Sequence, residues 1–454
     1  MSWSGSRRIG DPHVYLGPLG GSLIGYDRSA TKVPFPHVQG PDVLIIGLGY
    51  VGLPLAAEAA RCGLAVVGYD PDDAVVSGLN AGRSHVSDVS CDDVRAMLAG
   101  GFRVTGNESA TGRPATLIIC VPTPLTADNG PDLTAVRSAA ELAARQLRPG
   151  ALVVLESTTY PGTTDEVVRP LLETGSGLTA GRDFSLAFSP ERIDPGNATF
   201  GIRNTPKVVG GVTPSCTDAA AAFYSKICDH VVRAASAREA EMAKLLENTY
   251  RHVNIALVNE MAIFCHELGV DLWDAIRCAA TKPFGFQPFY PGPGVGGHCI
   301  PIDPNYLSYQ VRRLGYPFRF VELAQEINGR MPGYVVSRAT DLLNRNFKPV
   351  NGSHVLLLGV TYKKDSADLR ETPAASVVRQ LRRAGAHVAY CDPHVSKWFV
   401  DGRPVEAVSC LADAVPAADL VILLQAHSAY DPDDIARRAR LLLDTSGVTA
   451  GERL

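Results

Sequence analysis

Val43-Leu-Ile-Ile46 runs directly into Gly47-Leu-Gly49-Tyr-Val-Gly52, and helix-compatible residues follow as far as Arg61. The apolar run reads as a buried strand, and glycines at this spacing restrict what can follow it. Gly47 permits a tight turn, Gly49 lets backbone approach a pyrophosphate, and Gly52 lets a helix pack on the strand. The next strand, Leu64–Tyr69, ends at Asp70, eighteen residues beyond Gly52. A carboxylate there would bond both ribose hydroxyls and repel a 2′-phosphate, which favours NAD over NADP. The segment predicts a βαβ unit that opens a parallel sheet around a dinucleotide. The alternative is a tight turn that binds nothing.

Strand candidates continue at Thr116–Val121, Leu152–Glu156 and Phe184–Phe188, with helical segments between them, as an open parallel sheet requires. The texture changes at Ser236-Ala-Arg-Glu239, a capping box. Neither Pro nor Gly interrupts the chain from there to Gly269, which predicts one helix of roughly 30 residues and about 45 Å. That length suits a helix joining domains or forming a dimer contact. A helical region is expected to about Arg330. A second α/β unit starts at His354–Leu358 and continues with Ala386–Cys391 and Leu420–Leu424, without another G-x-G-x-x-G. The expected fold is α/β: two Rossmann-like, doubly wound parallel-sheet domains joined by a central helical domain with one long helix. The boundaries read as an N-terminal extension (1–40), a first Rossmann domain (41–213), the helical domain (214–330) and a second Rossmann-like domain (331–454).

Bulk properties remove several classes. The chain has 454 residues and a net charge of −4 with no basic run, which argues against nucleic acid as a partner. Its ten cysteines are scattered without a C-x-x-C pair, the pattern of a reduced cytoplasmic protein and not of a disulfide framework or a zinc site. No metal is expected. No apolar run approaches the ~20 residues that span a bilayer, and the N-terminus lacks the apolar core of a signal peptide. The expected location is the cytoplasm.

Chemistry concentrates in Gly292-Pro-Gly-Val-Gly-Gly-His-Cys-Ile-Pro-Ile-Asp303. Gly292, Gly294, Gly296 and Gly297 let backbone approach a ligand, and such backbone lowers a thiol's pKa. Cys299 then reads as a nucleophile beside a small ligand, or else as a buried structural cysteine in a tight loop. Lys244 and Asn248 lie four apart and share a helix face. They suit stabilisation of a developing alkoxide, although a lone Lys among apolar residues also snorkels to water. Val121-Pro122-Thr123-Pro and Glu156-Ser157-Thr158 stand at strand ends, where an open parallel sheet holds its ligand; ordinary turn chemistry explains them equally. Glu191, after another strand end, is either a base in the same cleft or a solvated turn residue. Tyr362-Lys363-Lys364-Asp365-Ser-Ala-Asp368-Leu-Arg370-Glu371 either clamps a phosphate or forms an exposed loop with internal ion pairs.

Taken in order, these segments resemble the nucleotide-sugar 6-dehydrogenases, the UDP-glucose/GDP-mannose dehydrogenase family, from about Val43 to the end of the last α/β unit. The resemblance implies an NAD-dependent four-electron oxidation of a sugar C6 alcohol to a carboxylate. Cys299 would capture the intermediate aldehyde as a thiohemiacetal and then carry a thioester. Lys244 and Asn248 would stabilise the C6 oxygen, Asp303 would assist proton movement and hydrolysis, and Glu191 would act as base or position a water. Gly47, Gly49, Tyr50, Val51, Gly52, Asp70, Pro122, Thr123, Ser157, Thr158 and Arg370 would hold NAD. Lys244, Asn248, Tyr290, Gly292, Gly294, Gly296 and Lys363 would hold the nucleotide sugar, chiefly on the C-terminal lobe. A homodimer or higher oligomer built on the long helix is also implied. Phe284-Gly-Phe-Gln-Pro-Phe-Tyr-Pro-Gly-Pro-Gly and Glu191-Arg-Ile-Asp-Pro-Gly look most like the branch that oxidises UDP-N-acetylhexosamines. Where many UDP-glucose enzymes place an arginine upstream of the glycine loop, this chain has Lys282, so UDP-glucose and dTDP-glucose stay open. The rival readings are a two-electron hydroxyacid dehydrogenase, which has no need of Cys299, and a nucleotide-sugar or NAD sensor without turnover.

Overall fold

Strand β1 (Val43–Ile46) is buried along its whole length and lies near the middle of an eight-stranded sheet. Its companions are β2 (Val66–Tyr69), β3 (Arg103–Thr105), β4 (Thr116–Ile119), β5 (Leu152–Leu155), β6 (Ser185–Phe188), β7 (Lys207–Gly211) and β8 (Val231–Arg233). The spatial order is β3-β2-β1-β4-β5-β6-β7-β8. Pairings from β3 across to β6 are parallel, and β7 runs antiparallel to β6. β1, β4 and β5 carry only buried residues, because helices cover both faces of a parallel sheet. The order reverses between β1 and β4, so the carboxyl ends of those two strands border the crevice where such sheets take ligands. The computed structural model describes residues 40–126, 130–194, 197, 199–297 and 299–454, with the side chain of Cys299 excepted. The expected N-terminal extension lies outside the described residues except for Gly40.

The long helix spans Ala237–Glu267, 31 residues. Its cap differs in detail from the expected box: Ser236 accepts from the Arg238 N–H at 3.1 Å, while its hydroxyl bonds the Glu239 carboxylate side chain to side chain. After the glycine loop come helices Cys299–Arg313 and Arg319–Arg345. The second runs on past Arg330, where the helical region was expected to end. Met331-Pro332-Gly333 reads as a break, yet the buried stripe Met331, Val335, Ala339, Leu342 and Leu343 keeps helical spacing through it. Packing of that stripe outweighs the hydrogen bond that Pro332 removes.

The second sheet holds β9 (His354–Leu358), β10 (His387–Cys391), a hairpin of β11 (Phe399–Val400) and β12 (Arg403–Pro404) beside it, and then β13 (Glu406–Ala407), β14 (Leu420–Leu423), β15 (Leu442–Asp444) and β16 (Glu452–Arg453). Its order is β13-β10-β9-β14-β15-β16, all parallel, with the reversal between β9 and β14. Among the described residues no helix is long and apolar enough to cross a membrane.

Candidate active site

The fingerprint glycines divide by function. Gly47 has φ +92°, and a Cβ there would lie 2.6 Å from the Cys120 carbonyl oxygen. A Cβ on Gly52 would lie 1.9 Å from the Gly47 oxygen. Gly49 has open space on that side, with nothing within 4 Å, which is the gap a close-lying phosphate needs. Helix Gly52–Arg61 starts here and presents its positive end to that gap. Asp70 is held in place by the Leu48 N–H at 2.9 Å and the Asp72 N–H at 3.0 Å. Thr123 and Ser157 are buried, with Thr123 donating to the Thr158 carbonyl at 2.9 Å and Ser157 to the Val121 carbonyl at 2.7 Å. These bonds lock the turns after β4 and β5 together along one side of the crevice. Pro122 and Tyr50 are exposed there. The donor set and the open gap at Gly49 fit a dinucleotide.

Lys244, Asn248 and Asp303 are buried together, at 5 %, 7 % and 1 % exposure. Asn248 donates its side-chain amide to Asp303 Oδ2 at 2.6 Å. Lys244 Nζ donates to the Glu191 carbonyl at 2.6 Å and lies 3.4 Å from its carboxylate. Burial pushes the Asp303 carboxyl up to about 7, against the pull of Lys244 and Asn248. Among the described residues its Oδ1 has no hydrogen-bond partner. Helix Cys299–Arg313 carries Asp303 and is tied to the first sheet by the Tyr306 hydroxyl, which donates to the Thr123 carbonyl. The backbone of Cys299 opens that helix, where the dipole favours a thiolate. The Cys299 side chain, on which the nucleophile reading falls, lies outside the described residues. Glu191 and Val51 of the fingerprint line one small cleft.

The glycine loop is set by packing more than by ligand approach. A Cβ on Gly296 would stand 2.6 Å from Tyr362 Cβ, and one on Gly297, at φ +80°, would stand 2.8 Å from the Tyr362 ring. Gly294, at φ +127°, closes on the Asn328 carbonyl. Gly292 alone of the four faces open space, its N–H donating to Asn259 Oδ1 at 2.9 Å. Tyr290 is exposed. From the second sheet, Arg370 sits 4.3 Å over the Tyr50 ring and is gripped by Asp368 at 3.0 Å. Lys363 forms an ion pair with Asp194, in the segment after β6. Both contacts join the C-terminal unit to the dinucleotide unit. Lys282 is exposed and lies over Phe284 at 5.0 Å. A cavity of about 640 Å³ is lined by Gly294 and Val295 with His252, Asn328, Thr372 and Trp398, and by none of Lys244, Asn248, Asp303 or Lys363.

Sequence reading missed three buried polar groups that hold these parts. Glu241, one turn before Lys244, accepts from the Gly162 N–H at 2.5 Å and the Thr164 N–H at 2.9 Å, and burial raises its carboxyl to about 7. It docks the long helix on the turn beyond Thr158. Its spacing to Lys244 and Asn248 was the available signal. Asn259 bonds Asn328 at 2.9 Å and so anchors the glycine loop to two helices. Lys207 pairs with Glu156 at 2.9 Å and donates to the Pro190 carbonyl at 3.2 Å, beside Glu191. Nothing local marks either of the last two.

Three family models match the chain in order. They are the NAD binding domain, the central domain and the UDP binding domain of the UDP-glucose/GDP-mannose dehydrogenase family, over residues 42–228, 238–330 and 356–451. A UDP-N-acetyl-D-glucosamine 6-dehydrogenase of Pseudomonas aeruginosa is 37% identical over 355 residues, 78% of this chain and 83% of that protein. A UDP-N-acetyl-D-mannosamine dehydrogenase of Pyrococcus horikoshii is 37% identical over 391 residues, 86% and 90% of the two chains. The solved structure of a UDP-D-ManNAc dehydrogenase from Pyrococcus horikoshii superposes with a TM-score of 0.81 at 31% identity, covering 90% of this chain and 98% of that one. With a dinucleotide cradle at Gly49 and three matching domains in order, this chain belongs to the UDP-glucose/GDP-mannose dehydrogenase family and is an NAD-dependent oxidoreductase.

Proposed function

We propose that the protein oxidises the C6 alcohol of a UDP-N-acetylhexosamine to the carboxylate, in two steps and without releasing the aldehyde. The observation that carries this reading is the buried Lys244/Asn248–Asp303 cluster at the helix that Cys299 opens. The N-acetylhexosamine specificity is supported by the names of the similar proteins. Bound NAD supplies the hydride acceptor, and two equivalents are consumed per uronate.

Each residue's role follows from its chemistry. The Cys299 thiolate adds to C6 of the aldehyde, and the resulting thiohemiacetal becomes a thioester once the second hydride has left. Lys244 and the Asn248 amide face the C6 oxygen and stabilise it as negative charge builds. Asp303, with a carboxyl that titrates at about 7, takes and returns the proton moved at C6. Glu191, beside Lys244, positions the water that cleaves the thioester and regenerates the thiol. Lys363 holds the diphosphate and Arg370 the cofactor edge. A cytoplasmic location follows from the scattered thiols.

The test is NADH formation with UDP-GlcNAc, UDP-ManNAc, UDP-GalNAc, UDP-glucose, dTDP-glucose and GDP-mannose in parallel, in the wild type and in Cys299→Ser. Two NADH per sugar with an N-acetylhexosamine, lost in the variant, supports the reading. One NADH per sugar, or a variant turning over at wild-type rate, removes the thioester. Silence with all six sugars despite NAD binding points to a sensor.

A further inference from the structure

Three side chains with metal-ligating atoms converge on the second sheet, apart from the cleft described above. Asp365 follows β9, His394 follows β10 and His427 follows β14, so all three lie at the carboxyl ends of neighbouring strands where the order reverses. Asp365 Oδ1 is 3.7 Å from His427 Nδ1 and 3.9 Å from His394 Nε2, and the three ligand atoms lie within 4.8 Å of one another. Donors around a tetrahedral zinc ion stand roughly 3.3 Å apart at bond lengths of about 2.0 Å. Closing the difference takes side-chain rotation and a shift of the Asp365 backbone N–H that now lies 2.8 Å from His427 Nδ1.

The surroundings fix which nitrogen faces the cluster. His427 is fully buried, and its Nε2 lies 3.0 Å from Asp392 Oδ2. Asp392 also accepts backbone N–H groups from Val360 at 2.7 Å and His394 at 2.8 Å, so its carboxylate is an acceptor on every side. Nε2 therefore carries the proton and Nδ1 presents its lone pair to Asp365 and His394. A carboxylate behind the distal nitrogen is how ligating histidines are oriented. That lone pair now accepts the Asp365 N–H at 2.8 Å, the one bond an ion would displace. Ser428 steadies both Asp365 oxygens, at 2.7 and 2.6 Å. The His394 side chain is 35% exposed and that of Asp365 is 42% exposed, so the open side of the cluster faces solvent.

We propose that Asp365, His394 and His427 bind a divalent ion of the zinc class, with water completing the tetrahedron. The cluster uses no cysteine, so the scattered thiols do not bear on it. An ion there ties the turn that begins at Lys363 to the ends of β10 and β14. The proposal asks nothing of the oxidation chemistry, and its test reads binding directly.

The test is a titration of the full chain, stripped with EDTA and freed of chelator, with Co²⁺. One equivalent is expected to give visible bands of nitrogen and oxygen coordination, without the near-ultraviolet thiolate band, and to be displaced by one equivalent of Zn²⁺. His394→Ala and Asp365→Asn are each expected to weaken binding by about tenfold or more. Asn keeps the left-handed backbone that Asp365 adopts at φ +55°, and thermal melts of both variants check the fold. Cys299→Ser should leave the stoichiometry unchanged. Absence of cobalt binding below millimolar overturns the proposal, as does a thiolate band that disappears in Cys299→Ser. Equal affinity in wild type and both variants also overturns it.

Discussion

Asn248 and Asp303 meet at 2.6 Å inside the protein, an amide donating to a carboxylate whose other oxygen has no partner among the described residues. The pair links the long helix to the helix that Cys299 opens. Burial raises the Asp303 carboxyl, and the Asn248 bond pulls against that rise.

Burial holds the Asp303 carboxyl at about 7 in the fold, against about 4 in the unfolded chain. Below about pH 4 both states are protonated and the group is neutral in its effect on stability. Between the two values only the unfolded chain ionises, so stability falls as pH rises, and the full cost is present above about 7. Asp303→Asn should therefore gain stability relative to wild type between pH 4 and 8, by up to about 4 kcal/mol. Parallel chemical denaturation across that range checks it. A difference that does not change with pH would show that Asp303 does not titrate there.

Gly47 and Gly49 should separate folding from cofactor binding. Gly47→Ala places a Cβ 2.6 Å from a backbone oxygen at φ +92°, and should cost roughly 2 kcal/mol or more of stability. Gly49→Ala meets nothing within 4 Å, so its melting temperature should match wild type while NAD affinity falls by about tenfold, or about 1.4 kcal/mol. Calorimetric titration and thermal melts of both variants decide it. Wild-type NAD affinity in Gly49→Ala would place the pyrophosphate elsewhere.

The Arg370 guanidinium over Tyr50 crosses from one α/β unit to the other at 4.3 Å. A double-mutant cycle with Arg370→Gln and Tyr50→Leu should give a coupling of about 0.5–1 kcal/mol. If Arg370 holds the cofactor as proposed, NAD binding should weaken more in Arg370→Gln than in Tyr50→Leu. Strict additivity would mean that the two groups do not interact in solution.

Along the long helix, Met242, Leu246, Tyr250, Leu257, Phe264 and Leu268 are exposed at spacings of four and seven residues. Contiguous exposed apolar surface of this kind marks association sites, and a homodimer is expected to cover it. Leu246→Glu with Leu257→Glu should halve the mass measured by light scattering at micromolar concentration. A wild-type monomer, or an unchanged mass in the double variant, would count against that expectation.

Much of the fold was legible because its signals are local. β1 and β9 begin and end where the apolar runs do, and the long helix follows from the gap between its cap and Gly269. Helix Arg319–Arg345 runs past the expected end near Arg330 and through Pro332, because the buried stripe that carries it is a property of packing. The site was half legible. Lys244 and Asn248 share a face by helical period, but their meeting with Glu191 and Asp303 spans 53 and 55 residues.

The parallel strands β1, β2, β4, β5 and β6, the second parallel sheet, the dinucleotide crevice and the chemical kinds of residue available to it are written locally in the chain. Strand period, glycine spacing and capping each act within a few residues, and so can be read in order. Which glycines are fixed by packing and which leave a gap emerges from the fold: Gly296 is fixed by Tyr362, 66 positions away, whereas nothing described lies within 4 Å of a Cβ on Gly49. The tertiary structure also decided that Asp303 titrates near neutrality, because a pKa depends on the solvent a fold excludes and on the charges it brings close. The same holds for Asp365, His394 and His427, which only the strand order of the second sheet brings together.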